Sequence, residues 1–368
     1  MKMRDFLLTL IPVLASVFIL MGGILVFSGC YTLKQGAVML GYLGKAVPLE
    51  NLDAADAETR AFIRRVADIR RFAMEELGLR ESKNYTRYVE IDRDYLAAVV
   101  SACAADSFTR HEWVFPVVGT VPYKGFFDTA GAKKEAMLLK AEGLDVWVRG
   151  VDAFSTLGWF KDPLYSYMKK YSDYQLADLI IHELLHATVF VRGQAQFNEQ
   201  LAEFVGTTGG RLYMAGRFGA GSPEYLAIDK DAADAGAFRE YIRDLIKELE
   251  GVYGDLTLSR EIKLQQKEAI IAAAQKRFAA EYEDRFSGEN YRGFSTLPVN
   301  NAYLDLFRLY HEEDLFFENL YQKTCKTLPD PEGPPGIAGL RRLIEAAKAI
   351  KAGKGDPREQ LTAQMKFL

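Results

Sequence analysis

The chain has 368 residues, of which 49% are hydrophobic and 26% are charged, and this ordinary composition excludes a largely disordered protein. The formal net charge is −4 and no stretch is strongly basic, so nothing favours nucleic acid as a partner. Three cysteines are too few for a disulfide framework or a cysteine-rich zinc module.

Residues 1–29 contain the parts of a secretory signal: a positively charged start, then an uncharged, mostly apolar run over 6–29 that ends in small residues. Because these small residues directly precede Cys30, the segment resembles a bacterial lipoprotein signal that would leave Cys30 lipidated. An uncleaved anchor helix is the alternative, since the run is long enough to span a bilayer. Both interpretations predict a membrane-anchored protein on the extracytoplasmic face of the cell envelope. Cys103 and Cys325 could then pair or stay as buried thiols.

The rest of the chain has the hydrophobic periodicity of a mainly helical protein, after an irregular or helical lead-in over residues 31–48. Helices are predicted over residues 52–79, 93–105, 130–142, 173–191, 197–214, 222–250, 255–287, 300–325 and 336–352, followed by a polar tail. Strands are predicted at residues 113–119, where a turn follows, and 144–148. We therefore expect one domain over residues 30–368, mainly α with a small β-sheet (α+β), whose C-terminal part from about 215 to 368 is helical.

The segment His182-Glu183-Leu184-Leu185-His186 lies on the predicted helix 173–191. Because an α-helix turns once every 3.6 residues, His182 and His186 face the same side, and their imidazoles can ligate one tetrahedral Zn²⁺. Glu183 lies beside the first ligand and can act as general base on a metal-bound water. Two packed core histidines are the alternative, but the carboxylate of Glu183 on an otherwise apolar helix face would be costly without a partner or a metal.

A catalytic zinc site needs a third protein ligand and keeps its fourth position for water. Gly193 is expected to end the first helix. An antiparallel second helix would then bring Glu199, thirteen residues after His186, back to the metal. Glu203 lies one turn further and competes for the ligand role, or else accepts the N–H of a ligand histidine. Asn198 is also predicted to support the ligands from outside the metal's immediate shell. A solvated helix face is the alternative for both glutamates.

A peptidase also needs hydrogen-bond donors for the oxyanion that forms during hydrolysis. Tyr310 and His311 are the predicted donors, with Tyr123 and Tyr303 as further candidates, and simple packing is the alternative for each tyrosine. The segment 154–159 mixes aromatic residues, hydroxyls and a glycine. It could line a substrate cleft as an extended strand or form a structural turn.

Several dispersed segments carry a resemblance to a known family: residues 113–123 with the following Lys-Gly-Phe-Phe, 154–163, 182–186, 197–199, 300–302 and 310–311. Over about residues 30–320 the chain resembles the bacterial "putative aminopeptidase" family, predicted zinc peptidases that often have lipoprotein signals. The resemblance implies a gluzincin-like site in which His182, His186 and Glu199 bind zinc and Glu183 is the base. Better-known zinc aminopeptidases carry a Gly-x-Met-Glu-Asn stretch that this chain lacks, so exopeptidase action is implied by the resemblance alone.

Three functions are compatible with these residues. The leading hypothesis is hydrolysis of a peptide or protein substrate by zinc-activated water. The alternative is a membrane-tethered, zinc-containing scaffold or binding protein with little turnover. The presence of Glu183 argues against a scaffold, because a structural zinc site has no use for a base and closes its fourth position with protein. A third hypothesis is a zinc hydrolase that acts on another amide, such as one in cell-wall peptide.

Overall fold

The computed structural model describes residues 38, 40–42, 44–52, 56–115, 119–151, 162–308, 315–326 and 336–367. Within these ranges no helix is long and apolar enough to cross a membrane. Several sequence predictions lie outside the described residues: the signal or anchor at 1–29, the lipidation site Cys30, the segment 154–159, and the proposed oxyanion donors Tyr310 and His311.

The described part of the chain contains ten α-helices and eight short strands. The helices are α1 (Ala57–Glu75), α2 (Thr129–Ala141), α3 (Asp173–Thr188), α4 (Ala195–Phe218), α5 (Pro223–Gly254), α6 (Arg260–Arg285), α7 (Asn301–Arg308), α8 (Phe316–Cys325), α9 (Ile337–Lys348) and α10 (Pro357–Phe367). The strands are β1 (Val47–Pro48), β2 (Arg87–Val89), β3 (Ala97–Ala104), β4 (Trp113–Phe115), β5 (Gly119–Val121), β6 (Lys124–Phe126), β7 (Leu144–Val151) and β8 (Leu164–Tyr165).

The strands form three small sheets. β2 pairs with β1 in antiparallel and with β8 in parallel orientation, with Tyr88 opposite Leu164. β3 lies between β6 and β7, antiparallel to both. β4 and β5 form a separate antiparallel pair. The predicted class, mainly α with a small sheet, is therefore confirmed, with the β structure divided into three pieces.

The helix predicted over residues 93–105 is wrong, because Ala97–Ala104 form β3. This strand is buried over seven of its eight residues; α2 and α7 both pack against it. Two-sided burial removes the alternation of apolar and polar residues that marks a strand, and a short apolar run then looks like a helix. At the C-terminal end, the predicted polar tail after residue 352 includes the helix α10.

Three hydrophobic cores hold the fold together. The largest joins α1, α3, α4 and α9 to the β1–β2–β8 sheet. A second lies between α5, α6 and α7, and a third lies between α2 and the β3 sheet. The structure has no disulfide between Cys103, which is buried, and Cys325, which is half-buried. Burial raises the pKa of Cys103 to about 12.

Buried polar contacts fasten the helices α5–α7 to the β3 sheet. The ammonium Nζ of Lys267, which is 3% exposed, lies 3.0 Å from Oδ2 of Asp145 on β7. The backbone N–H of Asn301 donates to the same carboxylate over 2.8 Å. The side-chain amide of Asn301 also donates to the backbone carbonyl of Ala104 over 2.9 Å. Since each of these groups is paired, their burial is compatible with a stable junction.

Candidate metal centre

The helix α3 presents the His-Glu-x-x-His segment from a fixed position. Its start is capped by Ser172, whose hydroxyl accepts the N–H of Gln175 while the Gln175 side chain accepts the N–H of Ser172. Such a reciprocal cap satisfies two backbone groups that a helix start leaves unpaired. Ile180, Ile181 and Leu184 are fully buried in the largest core. The apolar face of the helix therefore fixes the direction in which the neighbouring histidines point.

Asn198 closes the turn that leads from α3 into α4. Its side-chain carbonyl accepts the N–H of Val191 over 2.9 Å, and its amide donates to the carbonyl of Val191 over 2.9 Å. Asn198 is only 4% exposed, so the two bonds replace water for both backbone groups. The described hydrogen bonds of Asn198 are thus to the turn, and its role in supporting the ligands stays a prediction. By fixing this turn, Asn198 places the adjacent Glu199.

Glycines allow α4 to approach α3 closely, a feature that we did not predict from the sequence. A Cβ added to Gly206 would lie 2.5 Å from Oδ1 of Asp178 and 3.0 Å from Cβ of His182. One added to Gly210 would lie 3.3 Å from the backbone nitrogen of Asp178. No side chain fits at Gly206 without a shift of one helix. The spacing of glycines within a helix was the available sequence signal.

Replacing Gly206 by alanine is expected to lower the free energy of unfolding by roughly 1–3 kcal/mol, because the added methyl overpacks the α3–α4 contact. Displacing α4 also moves Glu199 away from the histidines, so we expect weaker zinc binding. Gly251→Ala in α5 is the matched control, since no heavy atom lies within 4 Å of its added Cβ. Because alanine has the higher helix propensity, this variant should raise the free energy of unfolding by about 0.5–1 kcal/mol. Chemical denaturation and zinc titration measure both effects. Equal behaviour of the two variants would contradict the close-packing argument.

His182, His186 and Glu199 converge, as the sequence predicted. Nε2 of His182 lies 3.2 Å from Nε2 of His186. The Glu199 carboxylate lies 3.8 Å from Nε2 of His182 and 3.6 Å from Nε2 of His186. Ligands bound at about 2.0–2.2 Å in a tetrahedral arrangement are separated by roughly 3.3–3.5 Å. Two imidazoles and one carboxylate at these distances could therefore hold one metal ion.

The charges of this cluster also suit a cation. Burial, helped by the neighbouring His186, lowers the pKa of His182 to about 4, so its imidazole is neutral at physiological pH and can offer a lone pair. Burial alone would lower the pKa of His186, but the Glu199 carboxylate outweighs burial and raises it. The same contact, mainly with His186, lowers the pKa of Glu199. A divalent cation would replace the proton that His186 and Glu199 hold between them.

The cluster is open to solvent on one side. The side chain of His186 is 3% exposed, that of His182 is 24% exposed and that of Glu199 is 58% exposed. A structural zinc site is enclosed by four protein ligands, whereas a catalytic site has three and keeps one position accessible. Among the described residues, the cluster offers three ligand atoms, and Glu199 and His182 leave it accessible to solvent.

Glu183 lies next to the cluster and is 8% exposed. Burial is the main cause that raises the pKa of its carboxyl to about 7; the charges of Asp162 and Glu199 add to this, and His186 opposes it. A carboxyl with a pKa near the working pH is well suited to accept a proton and to return it. The role of Glu183 as the base stays a prediction.

Glu203 is exposed and does not join the ligand cluster. Its carboxylate instead lies near Asp178, and burial together with the charge of Glu203 raises the pKa of Asp178 to about 6. Asp178 was missed from the sequence, although it precedes His182 by one helical turn and so shares its face. A role of Glu203 in supporting a ligand stays a prediction.

Asp178→Asn is expected to stabilise the metal-free protein by about 2 kcal/mol at pH 8. The pKa of Asp178 is higher in the folded state (about 6) than its usual value of 3.8. Its charged form is therefore unfavourable in the fold, and this penalty grows as the pH rises from about 4 to 6. Asparagine has the same shape and carries no charge, so the gain should be small at pH 4.5 and complete above pH 6. Urea denaturation across this range measures it, and a gain independent of pH would contradict the explanation.

The two further tyrosine candidates have unequal positions. Tyr303 packs its ring edge-on against Trp147, with centroids 4.9 Å apart, in the region of the second core. Tyr123 is 43% exposed. The described ring contact of Tyr303 is with Trp147, so packing explains Tyr303 better than oxyanion stabilisation does.

Comparison with known proteins agrees with the resemblance found in the motifs. The model of the family described as "Putative aminopeptidase" matches residues 30–356. No curated protein and no solved structure matches the chain. The match continues beyond the segments recognised in the sequence and includes α3, α4 and the whole ligand cluster. The chain therefore belongs to the "putative aminopeptidase" family.

Proposed function

We propose that the protein is a zinc-dependent peptidase with a gluzincin-like site, in which His182, His186 and Glu199 bind the metal and Glu183 is the general base. The observation that carries this proposal is the convergence of three donor atoms from two helices at a solvent-accessible point beside a buried glutamate. The family name supports the peptidase class. Zinc is favoured over Mg²⁺ or Ca²⁺ because two of the three donors are imidazole nitrogens.

Zinc, when bound, would polarise the peptide carbonyl and lower the pKa of a water to about 7. Glu183 would accept one proton of the attacking water as the water oxygen bonds to the carbonyl carbon. The same carboxyl would then give that proton to the leaving nitrogen as the C–N bond breaks. Its pKa of about 7 suits both directions of transfer, since the group must be a base first and an acid second.

A scaffold without turnover explains the site less well. Glu183 is 8% exposed, and burial is the main cause that raises the pKa of its carboxyl. The burial of a carboxyl among apolar side chains is costly to the fold. The position is therefore better explained by a function in proton transfer than by packing.

Metal analysis combined with peptidase assays tests this function. We expect about one zinc per chain, loss of peptide hydrolysis on chelation, and recovery when zinc is added back. The substrates should include peptides with free and with blocked N termini, and a cell-wall peptide as the alternative amide. A protein that holds no stoichiometric metal after zinc is supplied, or whose hydrolysis is insensitive to chelation, would overturn the proposal.

We further propose that the protein is held at the extracytoplasmic face of the cell envelope by a lipid on Cys30. The support is the order of charged, apolar and small residues before this cysteine. Incorporation of a labelled fatty acid in the wild type and its loss in Cys30→Ala would support the proposal. Labelling that persists in this variant would contradict it, and an uncleaved N terminus would favour the helix anchor.

A further inference from the structure

The start of α4 carries Glu199 but has little support from its own residues. Within the described structure, Gln194 precedes the helix without a side-chain hydrogen bond to its first turn, and that turn contains no acidic residue. A helix start leaves backbone N–H groups unpaired, and a capping side chain or an acidic residue would stabilise them. Since Glu199 is the fifth residue of α4, fraying of this end would displace it from the histidines.

Both neighbours of Glu199 in the chain are held by hydrogen bonds to other segments. On one side, Asn198 bonds to Val191 in the preceding turn. On the other side, the side-chain carbonyl of Gln200 accepts a hydrogen bond from Nη2 of Arg358 over 2.8 Å. Because Arg358 lies 158 positions later in the chain, this second bond brings α10 to the start of α4.

The helix α10 holds Arg358 in a defined position. The carboxylate of Asp356 accepts the backbone N–H of Arg358 over 2.8 Å. Pro357 is the first residue of the helix, where the fixed backbone of proline is favourable. Leu361, about one turn further, is fully buried in the largest core. The apolar side of α10 is therefore docked by Leu361, and Arg358 reaches Gln200 from a fixed helix start.

The position of Arg358 is not explained by α10 itself. The N-terminal end of a helix has a partial positive charge, so a cation in the first turn is unfavourable there. The guanidinium of Arg358 instead lies over the ring of Phe316 on α8, with Cζ 5.1 Å from the ring centroid. This contact with an aromatic face and the bond to Gln200 both stabilise the guanidinium, and both are made with other helices.

Aromatic packing continues from α8 to the same part of α4. Phe317, the residue after Phe316, is 2% exposed. Its ring centroid lies 5.7 Å from that of Phe197 and 5.9 Å from that of Phe204, one residue on either side of Glu199 along the helix. Packing against α8 therefore holds the apolar side of the first turns of α4, and the bond from α10 holds their polar side.

We propose that α10 braces the metal site and that Arg358 is a positioning residue, which orders the first turn of α4 and so directs Glu199 towards the two histidines. What Glu199 binds rests on the proposed zinc peptidase function, whereas the order of α4 is a property of the metal-free protein. A ligand side chain that is already in place loses less conformational freedom when the metal binds. The family match ends at residue 356 and α10 begins at Pro357, so the family match does not account for this brace.

Hydrogen exchange of the metal-free protein tests the brace directly. The amides of residues 199–203 donate to carbonyls at the start of α4, so their exchange rates report its opening. Arg358→Met keeps a long side chain over Phe316 but removes the donor to Gln200. We expect these amides to exchange roughly 3- to 10-fold faster, the usual effect of losing one hydrogen bond. Arg358→Lys keeps a donor and should recover part of the protection, and the amides of α6 should not change in either variant.

Zinc titration then tests the consequence for the ligand. Arg358→Met should weaken zinc binding by roughly 3- to 10-fold, less than the 10- to 100-fold effect of a residue that touches a ligand. In a Gln200→Leu background it should have no further effect, because both changes break the same hydrogen bond. Arg341→Met is the matched control: this arginine of α9 donates to the carbonyl of Glu75 over 3.4 Å, so exchange in α4 and zinc affinity should stay as in the parent.

Three results would overturn the brace. The first is exchange at the start of α4 that is as slow in Arg358→Met as in the parent. The second is an equal acceleration in Arg341→Met, which would indicate a general loss of stability. The third is an effect of Arg358→Met on zinc affinity that simply adds to that of Gln200→Leu. A parent protein that binds no zinc is a separate result, which contradicts the peptidase proposal, while the exchange rates of the metal-free protein still decide whether Arg358 orders α4.

Discussion

Replacing Glu183 by glutamine is expected to lower kcat/KM for peptide hydrolysis by roughly a thousand-fold or more while zinc stays bound. Glutamine has nearly the same shape but cannot accept the proton of the attacking water, and general base catalysis contributes about 10²–10⁴ to a rate. Glu183 is not among the three clustered ligands, so the metal content should not change. Fluorogenic peptide assays and metal analysis of the same preparation measure both quantities.

The same substitution should stabilise the metal-free protein at alkaline pH, which separates catalysis from folding. The pKa of Glu183 is about 7, above its usual 4.5, chiefly because of burial. The unfavourable charged form therefore appears as the pH rises from about 4.5 to 7, and its removal gains roughly 1–3 kcal/mol above pH 7. Glu76→Gln, at an exposed glutamate after α1, is the control that should change neither activity nor this pH dependence. Substantial turnover by Glu183→Gln would contradict the assigned base.

The metal cluster was predictable because it depends on local spacing. His182 and His186 share a face of α3 through helical periodicity alone. Glu199 required only that a short connection returns the chain as an antiparallel helix, and α3 and α4 have that relation. Gly193 in the connection has a φ of 78°, so a glycine after the first helix was an informative signal for the turn.

Contacts between distant segments were not predictable in this way. The carbonyl of Asp162 accepts the backbone N–H of Tyr85, 77 positions earlier in the chain, and no periodicity marks such a pair. The strand β3 was misassigned because its neighbours bury both faces, which is a tertiary property. Gly206 is informative only once Asp178 is known to lie opposite. The local sequence thus determines the ligands, while the packing determines what surrounds them.

Replacing Glu199 by alanine is expected to weaken zinc binding by roughly a thousand-fold, because two imidazoles alone leave the ion poorly coordinated. Peptide hydrolysis should be lost at zinc concentrations that saturate the parent protein. The carboxylate of Glu199 lies 3.6 Å from Nε2 of His186, so it is the acidic group placed to complete the set. Zinc titration with a competing chelator measures the affinity, and activity at high zinc shows how much function the remaining ligands retain.

Glu203→Ala provides the matched comparison, since it removes the same group one helical turn further along α4. Its carboxylate lies outside the ligand cluster, so zinc affinity should fall by no more than the roughly 10- to 100-fold effect of a residue that supports a ligand. The loss of its charge should also lower the raised pKa of Asp178, because Glu203 contributes to that shift after burial. If Glu203→Ala loses zinc and Glu199→Ala retains it, the ligand assignment is wrong and the metal lies one turn further along the helix pair.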